Sequence, residues 1–261
     1  LHYGKLSSFQ NSRLSKKKTM SEEILKEHKI IWEKKPILRA LYNRWYKEMA
    51  TQLAPGDTLE LGGGSGNFKE FAPNVISSDI VSLPWIDVVA DAQDLPFEEQ
   101  SFDNIVMFDV LHHIENVSLF FDEALRVLRP GGRIIMMEPY ISFASWPVYH
   151  FLHPEPVNFR QNPLAWTEPS PHRKPFDSNQ AFATILFEKK FNLFKRKYSQ
   201  FSKIYHRRLA FFAYPLSGGF DKPSLLPMAL LEPVLTLEDA LSFMSRFLAF
   251  RILVVLQKQN I

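Results

Sequence analysis

Leu59-Glu60-Leu61-Gly62-Gly63-Gly64-Ser65-Gly66-Asn67 is the stretch that decides the fold. A short apolar run, Thr58–Leu61, reads as a buried strand and passes directly into a glycine turn. A short helix carrying Phe68 and Phe71 is expected to follow. Glycines at such a place let the backbone turn sharply and approach a ligand closely, with helix N–H groups facing it. The dinucleotide pattern Gly-x-Gly-x-x-Gly needs its third glycine for close helix–strand packing. Counted from Gly62 that position is Asn67, and counted from Gly64 it is Lys69, so a nicotinamide-dependent oxidoreductase is the poorer reading. The spacing acid-x-Gly-x-Gly-x-Gly is met in full by Glu60, Gly62, Gly64 and Gly66. A plain glycine-rich turn without a ligand is the alternative, and the residues that follow count against it.

Outward from this turn the chain keeps one rhythm. Val75–Ser78, Ile86–Val89, Asn104–Phe108 and Arg133–Met137 also read as buried parallel strands. Between the last two, Glu115–Leu128 places Leu119, Phe120, Ala124, Leu125 and Leu128 on one helical face, and Arg129-Pro-Gly-Gly132 ends that helix. Strands alternating with helices predict an α/β fold with a doubly wound, mostly parallel sheet. Upstream, Met20–Ala50 has helical spacing broken at Pro36. Downstream, Pro139–Pro175 mixes prolines with aromatics, Asp177 is expected to cap a helix to Lys190, and Phe191–Ile204 is expected as a further strand. Leu225–Met244 is read as partly helical and Phe247–Gln257 as the last strand. The expected organisation is a disordered leader over 1–19, a helical cap over 20–56 and one domain over 57–261, with insertions at about 139–176 and 205–246.

The 261 residues, 46% hydrophobic and 23% charged, suffice for a packed core and exclude general disorder. With no cysteine there is no disulfide, thiolate metal site or cysteine nucleophile. The longest apolar run, Phe247–Leu256, holds Arg251 and is too short to cross a membrane, and no signal-peptide core is read; the expected location is cytoplasmic. Charge is uneven. Asp57–Glu123 holds fourteen acidic residues against one basic, whereas Lys189–Arg208 holds eight basic and no acidic ones. Each block is either a solvated face or a partner surface.

Ordered blocks from Asp57 to Pro139 make the chain resemble the class I S-adenosylmethionine-dependent methyltransferases, in particular the small-molecule group related to ubiquinone and menaquinone enzymes. Glu60–Gly66 resembles the first motif of that family, and Asp79 its ribose-binding acid. Val88-Val-Ala-Asp-Ala-Gln-Asp-Leu-Pro-Phe97 resembles the adenine segment, and Ser101–Phe108 with Val110-Leu-His-His-Ile114 the fourth strand and its sequel. Leu125–Gly132 and Ile134–Pro139 resemble the next helix, turn and strand. The resemblance implies a Rossmann-like seven-stranded sheet with one antiparallel strand near its edge, and helical insertions forming a lid. It implies S-adenosyl-L-methionine as cofactor and S-adenosyl-L-homocysteine as product. The implied cofactor residues are Glu60 with Gly62, Gly63 and Gly64 for the methionine end, Asp79 for the ribose, Asp91 and Ala92 for the adenine, and Phe108 through its carbonyl, together with Gly66 and Ile80.

A base is needed only if the acceptor atom starts protonated. His112 and His113 follow the fourth strand and Tyr149 and His150 lie in the aromatic insertion, so these four are the candidate catalytic residues, with a structural role as the alternative for each. His150-x-x-His153 lacks a third ligand, so no metal is expected. Asp109-Val-Leu-His-His113 stands where base-amino methyltransferases acting on nucleic acid carry a Pro-Pro-aromatic block, which argues against a nucleic-acid acceptor. The apolar content of Met20–Ala50, Pro139–Pro175 and Tyr205–Arg246 points instead to a small apolar or amphipathic acceptor, with the packing of a helical lid on the sheet as the alternative. Peripheral contact with a membrane and the oligomeric state stay open. A regulatory protein that binds the cofactor without chemistry is the remaining rival.

Overall fold

The computed structural model describes residues 8–72, 74–167 and 177–259, with side chains from Ser21 onward. His172 and part of the first insertion lie outside the described residues. Seven strands form one sheet: β1 (Thr58–Leu61), β2 (Val75–Asp79), β3 (Val88–Val89), β4 (Phe102–Phe108), β5 (Leu128–Pro139), β6 (Phe201–Leu209) and β7 (Arg251–Lys258). Their order is β3-β2-β1-β4-β5-β7-β6. The first five pair in parallel, and β7 runs antiparallel to both β5 and β6. The expected sheet, with its one reversed strand next to the edge, is therefore the observed one.

Continuous apolar strands arise because both faces of the sheet are covered. In β5, Ile134 and Met136 join one core while Ile135 and Met137 join the other. In β7, Ile252, Val254 and Leu256 alternate in the same way with Leu253 and Val255. The first core is closed by α3 (Val117–Val127), which buries Phe120, Phe121 and Ala124. The second is closed by α2 (Pro36–Ala50), which buries Leu38, Leu41, Trp45 and Met49. Each buried Leu, Ile, Val, Phe or Met side chain contributes about 1.5–3 kcal/mol.

Several boundaries differ from the sequence reading. α1 spans Ser8–Lys34, so helix occupies much of the expected leader; neither glycine nor proline interrupts that stretch. Pro36 opens α2 at its first turn, where its missing N–H costs nothing. The expected turn at Arg129–Gly132 is extended backbone within β5, with Gly131 at φ +80° where the pairing with β4 shifts register. Asp177 does not cap a helix: α5 is only Phe182–Thr184, continued as a π-turn over Ile185–Lys189. Asn179 does the local work instead, its Oδ1 accepting from the N–H groups of Asn158 and Ala181 at 2.9 and 3.1 Å. The strand expected from Phe191 begins at Phe201, because α6 (Phe191–Lys197) buries Phe194 against Phe121. The remaining helices are α4 (Ser145–Phe151), α7 (Ala213–Ser217), α8 (Leu231–Ala240) and α9 (Ser245–Leu248). Among the described residues no helix is long and apolar enough to cross a membrane.

Candidate cofactor and acceptor site

The glycine spacing has a backbone cause. Gly62, Gly64 and Gly66 lie at φ +66°, +47° and +74°, while Gly63 between them does not have positive φ. Alternate left-handed residues disfavour any side chain, and space adds to this. A Cβ on Gly62 would lie 2.4 Å from Val110 Cγ2, and one on Gly66 2.5 Å from Trp85 Cδ1. At Gly63 a Cβ would lie 2.1 Å from Ser77 Oγ. The helix expected after the turn is a single 3₁₀ turn, Phe68–Glu70. A single 3₁₀ turn brings little of the positive end of a long helix to this place.

Two buried carboxyl groups face the turn. Glu60 ends up beside Ser77 because β1 and β2 pair in register, and its Oε2 accepts from Ser77 Oγ at 2.6 Å. Burial pushes the Glu60 carboxyl up to about 7, against the hydrogen bond from Ser77 and the charge of Lys69. Asp79, at the end of β2, accepts from Gly64 N at 3.0 Å through Oδ2 and from Val81 N at 2.9 Å through Oδ1. Burial raises its carboxyl too. Ile80 is exposed beside it, whereas Ala92 is buried and Asp91 is exposed, accepting from Gln93 N at 2.9 Å. The carbonyl of Gly64 accepts from Trp85 Nε1 at 2.7 Å, and Lys29 of α1 reaches Ser65 O at 3.1 Å while lying over the Trp85 ring. Trp85, Lys29 and Ser77 went unnoticed in the sequence; the only signal was a tryptophan two residues before Asp87.

At the end of β4 the Phe108 ring stacks on Tyr42, with Tyr46 and Trp45 alongside. The next residue, Asp109, has φ +58° and grips Arg251 through both oxygens at 2.6 and 2.8 Å. Arg251 is buried among Tyr42, Trp45, Phe108 and Tyr214 and also donates to Tyr214 Oη at 2.9 Å. Phe220 meets Tyr42 edge-on and borders a cavity of about 440 Å³ lined by Ile31, Lys35, Ile37, Leu226 and Met228. None of the residues lining that cavity belongs to the glycine turn.

The histidine pair forms a second centre. Glu138, in β5, accepts from Val110 N and Leu111 N at 2.9 and 2.7 Å through Oε1, while its Oε2 lies 2.6 Å from His112 Nδ1. Glu155 lies on the other side, its Oε2 3.3 Å from His112 Nε2 and its Oε1 3.6 Å from His113 Nε2. Burial opposes charge on His112, but the flanking Glu138 and Glu155 carboxylates raise its pKa to about 10. Burial and the neighbouring His112 hold His113 well below the usual imidazole range. The structure does not bring the other two candidates into this centre. Tyr149 is buried, with its hydroxyl donating to Phe250 O at 2.9 Å, and His150 is exposed and stacked on Trp146. Sequence reading passed over both Glu138 and Glu155.

A left-handed glycine cradle flanked by two buried acids thus stands at the carboxyl ends of the neighbouring strands β2, β1 and β4. Its donor set fits S-adenosylmethionine, and residues 59–136 match the methyltransferase domain family. This part of the chain therefore resembles a methyltransferase domain. Among curated relatives, the ubiquinone/menaquinone biosynthesis C-methyltransferase of Bartonella bacilliformis is 41% identical over 126 residues, covering 38% of this chain and 48% of its own. Phthiotriol/phenolphthiotriol dimycocerosates methyltransferase 1 of Mycobacterium ulcerans is 40% identical over 68 residues, 25% of each chain. Thus the match spans from a quarter to about half the length of these relatives. Among solved structures, the [4+2]-cyclase SpnF has a TM-score of 0.51 at 15% identity, over 83% of this chain and 81% of its own. That likeness concerns the fold alone.

Proposed function

We propose that this protein transfers a methyl group from S-adenosylmethionine to a small apolar or amphipathic acceptor, releasing S-adenosylhomocysteine. The observation that carries the reading is the pair of buried acids, Glu60 and Asp79, held on either side of the left-handed turn. The Glu60 carboxylate, with the Gly62–Gly64 backbone and the Phe108 carbonyl, would hold the ammonium and carboxylate of the methionine end. Asp79 would accept from the ribose hydroxyls, Ile80 would lie against the adenosine, and Asp91 with the Ala92 backbone would take the adenine amino group. When bound, the cofactor supplies an electrophilic methyl group on a sulfonium. The remaining task of the protein is to align the acceptor atom with that methyl group and keep water out, and such positioning is worth up to about 7–11 kcal/mol.

The acceptor class is read from the mainly apolar cavity beside Phe220, whose ring meets the aromatic cluster at Tyr42. Relatives named for ubiquinone/menaquinone biosynthesis and for phthiotriol/phenolphthiotriol dimycocerosates are in keeping with it. The test is incubation of the protein and radiolabelled methyl donor with fractionated cell extract, followed by identification of the labelled product. Label in an organic-extractable small molecule is the expected result; label only in nucleic acid, in protein or in nothing would refute the reading. Asp79→Ala should weaken cofactor binding by about 1–3 kcal/mol, measured calorimetrically beside NADH as a control.

A further inference from the structure

We infer that His112, His113 and Glu155 form a site for one divalent ion of the zinc type, with an open coordination position. One donor atom from each residue lies within 4.8 Å of the other two. The separations of 3.3 Å from His112 Nε2 and 3.6 Å from His113 Nε2 to the two Glu155 oxygens suit ligands about 2.0–2.2 Å from a common centre. Glu155 is steadied by a hydrogen bond from Gln180 Nε2.

The support behind His112 distinguishes this cluster from a chance meeting of polar groups. Glu138 is buried, and one of its oxygens is fixed by two backbone N–H groups. Its other oxygen therefore takes the hydrogen of His112 Nδ1, which turns Nε2 toward Glu155. Without an ion a hydrogen on Nε2 bridges this pair, and a bound ion would take its place. A carboxylate holding the far nitrogen of a ligating histidine is also the arrangement that orients metal-binding imidazoles. Two imidazoles and one carboxylate select a borderline transition ion over magnesium or calcium, which prefer oxygen ligands. Three protein ligands leave room for an oxygen of a bound molecule. That this oxygen belongs to the methyl acceptor rests on the proposed function, because the cluster stands at the carboxyl ends of β4 and β5; the ion site itself does not.

The test uses the full chain stripped with a chelator and titrated with Co²⁺ without cofactor or acceptor, then with Zn²⁺ in competition. One equivalent of Co²⁺ with visible d–d absorption, displaced by Zn²⁺, is expected. Glu155→Gln and His113→Ala should each abolish the absorption. Glu138→Gln, which touches no ion, should weaken binding about 10–100-fold. Circular dichroism and thermal melting verify that each variant is folded, and Glu155→Gln at a half-buried position serves if changes to the buried His112 do not fold. Absence of saturable absorption, or uptake equal to wild type in folded Glu155→Gln, overturns the site. Calorimetry with S-adenosylmethionine on the same samples separates the two claims. Cofactor binding without Co²⁺ uptake sinks the ion site alone, and Co²⁺ uptake without cofactor binding upholds it while sinking the methyltransferase reading.

Discussion

Glu60→Gln should make cofactor affinity insensitive to pH over a range in which the wild-type protein is strongly sensitive. In the free protein burial lifts the Glu60 carboxyl from 4.5 to about 7, so at pH 6 it is mostly protonated. An ammonium placed against it requires the carboxylate and lowers its pKa on binding, so binding releases a proton. The dissociation constant should then fall about tenfold between pH 6 and 8, or about 1.4 kcal/mol, as the carboxylate fraction rises from about a tenth to about nine-tenths. Stability of the cofactor-free protein should move the opposite way. The folded-state pKa lies above the unfolded value, so the folded protein binds the extra proton. Stability from this group is therefore fully present below about pH 4.5 and is lost as pH rises through about 7. The span corresponds to about 3 kcal/mol as an upper figure. Glu60→Gln keeps an acceptor for Ser77, removes this pH dependence, and should melt higher than wild type above pH 7 while binding cofactor more weakly. Calorimetric titration and thermal melting at matched ionic strength, pH 5.5 to 8, measure both effects. A wild-type affinity that is flat over that range, or a slope that survives in Glu60→Gln, would refute the argument.

Gly66→Ala should cost about 1–2 kcal/mol from its left-handed backbone alone, and displacement of the Trp85 ring should add a loss of cofactor affinity; an unchanged melting temperature would count against it. Asp109→Ala leaves Arg251 buried without its carboxylate, so chemical denaturation should show a loss of about 3–5 kcal/mol, and the double variant Asp109→Ala with Arg251→Met should lose less. A single-variant loss below about 1 kcal/mol would show that the pair does not hold β4 to β7. Tyr149→Phe removes one hydrogen bond to Phe250 O and should cost about 0.5–1.5 kcal/mol of stability with turnover unchanged. A tenfold fall in turnover would place that hydroxyl in the reaction instead.

What was legible in the sequence is what local physics fixes. The glycine spacing is visible because left-handed φ at Gly62, Gly64 and Gly66 admits few alternatives, and the strand runs are visible because burial on both faces removes polar residues. The acid at the end of β2 is visible because it directly follows such a run. Segment ends were less legible where long-range packing decides them. Nothing local requires Phe191–Lys197 to be helical; contact of Phe194 with Phe121 and Phe187 does. The second centre was hidden for the same reason. Glu138 looks like the end of a strand and Glu155 like one acid among prolines, and only the fold sets them on opposite sides of His112.

The uneven charge needed the structure to be interpreted, and the outcome bears on function. Of the fourteen acids between Asp57 and Glu123, Asp57 and Asp103 pair with Arg129, Glu123 with Arg126, Asp87 with Lys69 and Asp109 with Arg251. Such pairs neutralise the acids locally, and the exposed ones contribute little to stability. Glu60 and Asp79 differ: they are buried and bonded to Ser77 Oγ or backbone N–H, and burial raises both carboxyls. Negative charge kept out of water without a guanidinium against it is costly unless a cation arrives. The basic stretch Lys189–Arg208 shows the reverse. Lys195 and Lys203 donate to backbone carbonyls, Lys197 to Ser118, Arg207 to Glu48 and Arg208 to Glu188, while Lys189 lies over the Phe159 ring. Six of its eight cations thus serve the fold, which leaves a poor surface for a phosphate backbone. Glu60 and Asp79 thus stand apart within this stretch as acids buried at the glycine turn without a guanidinium against them, in keeping with the cationic ligand proposed there.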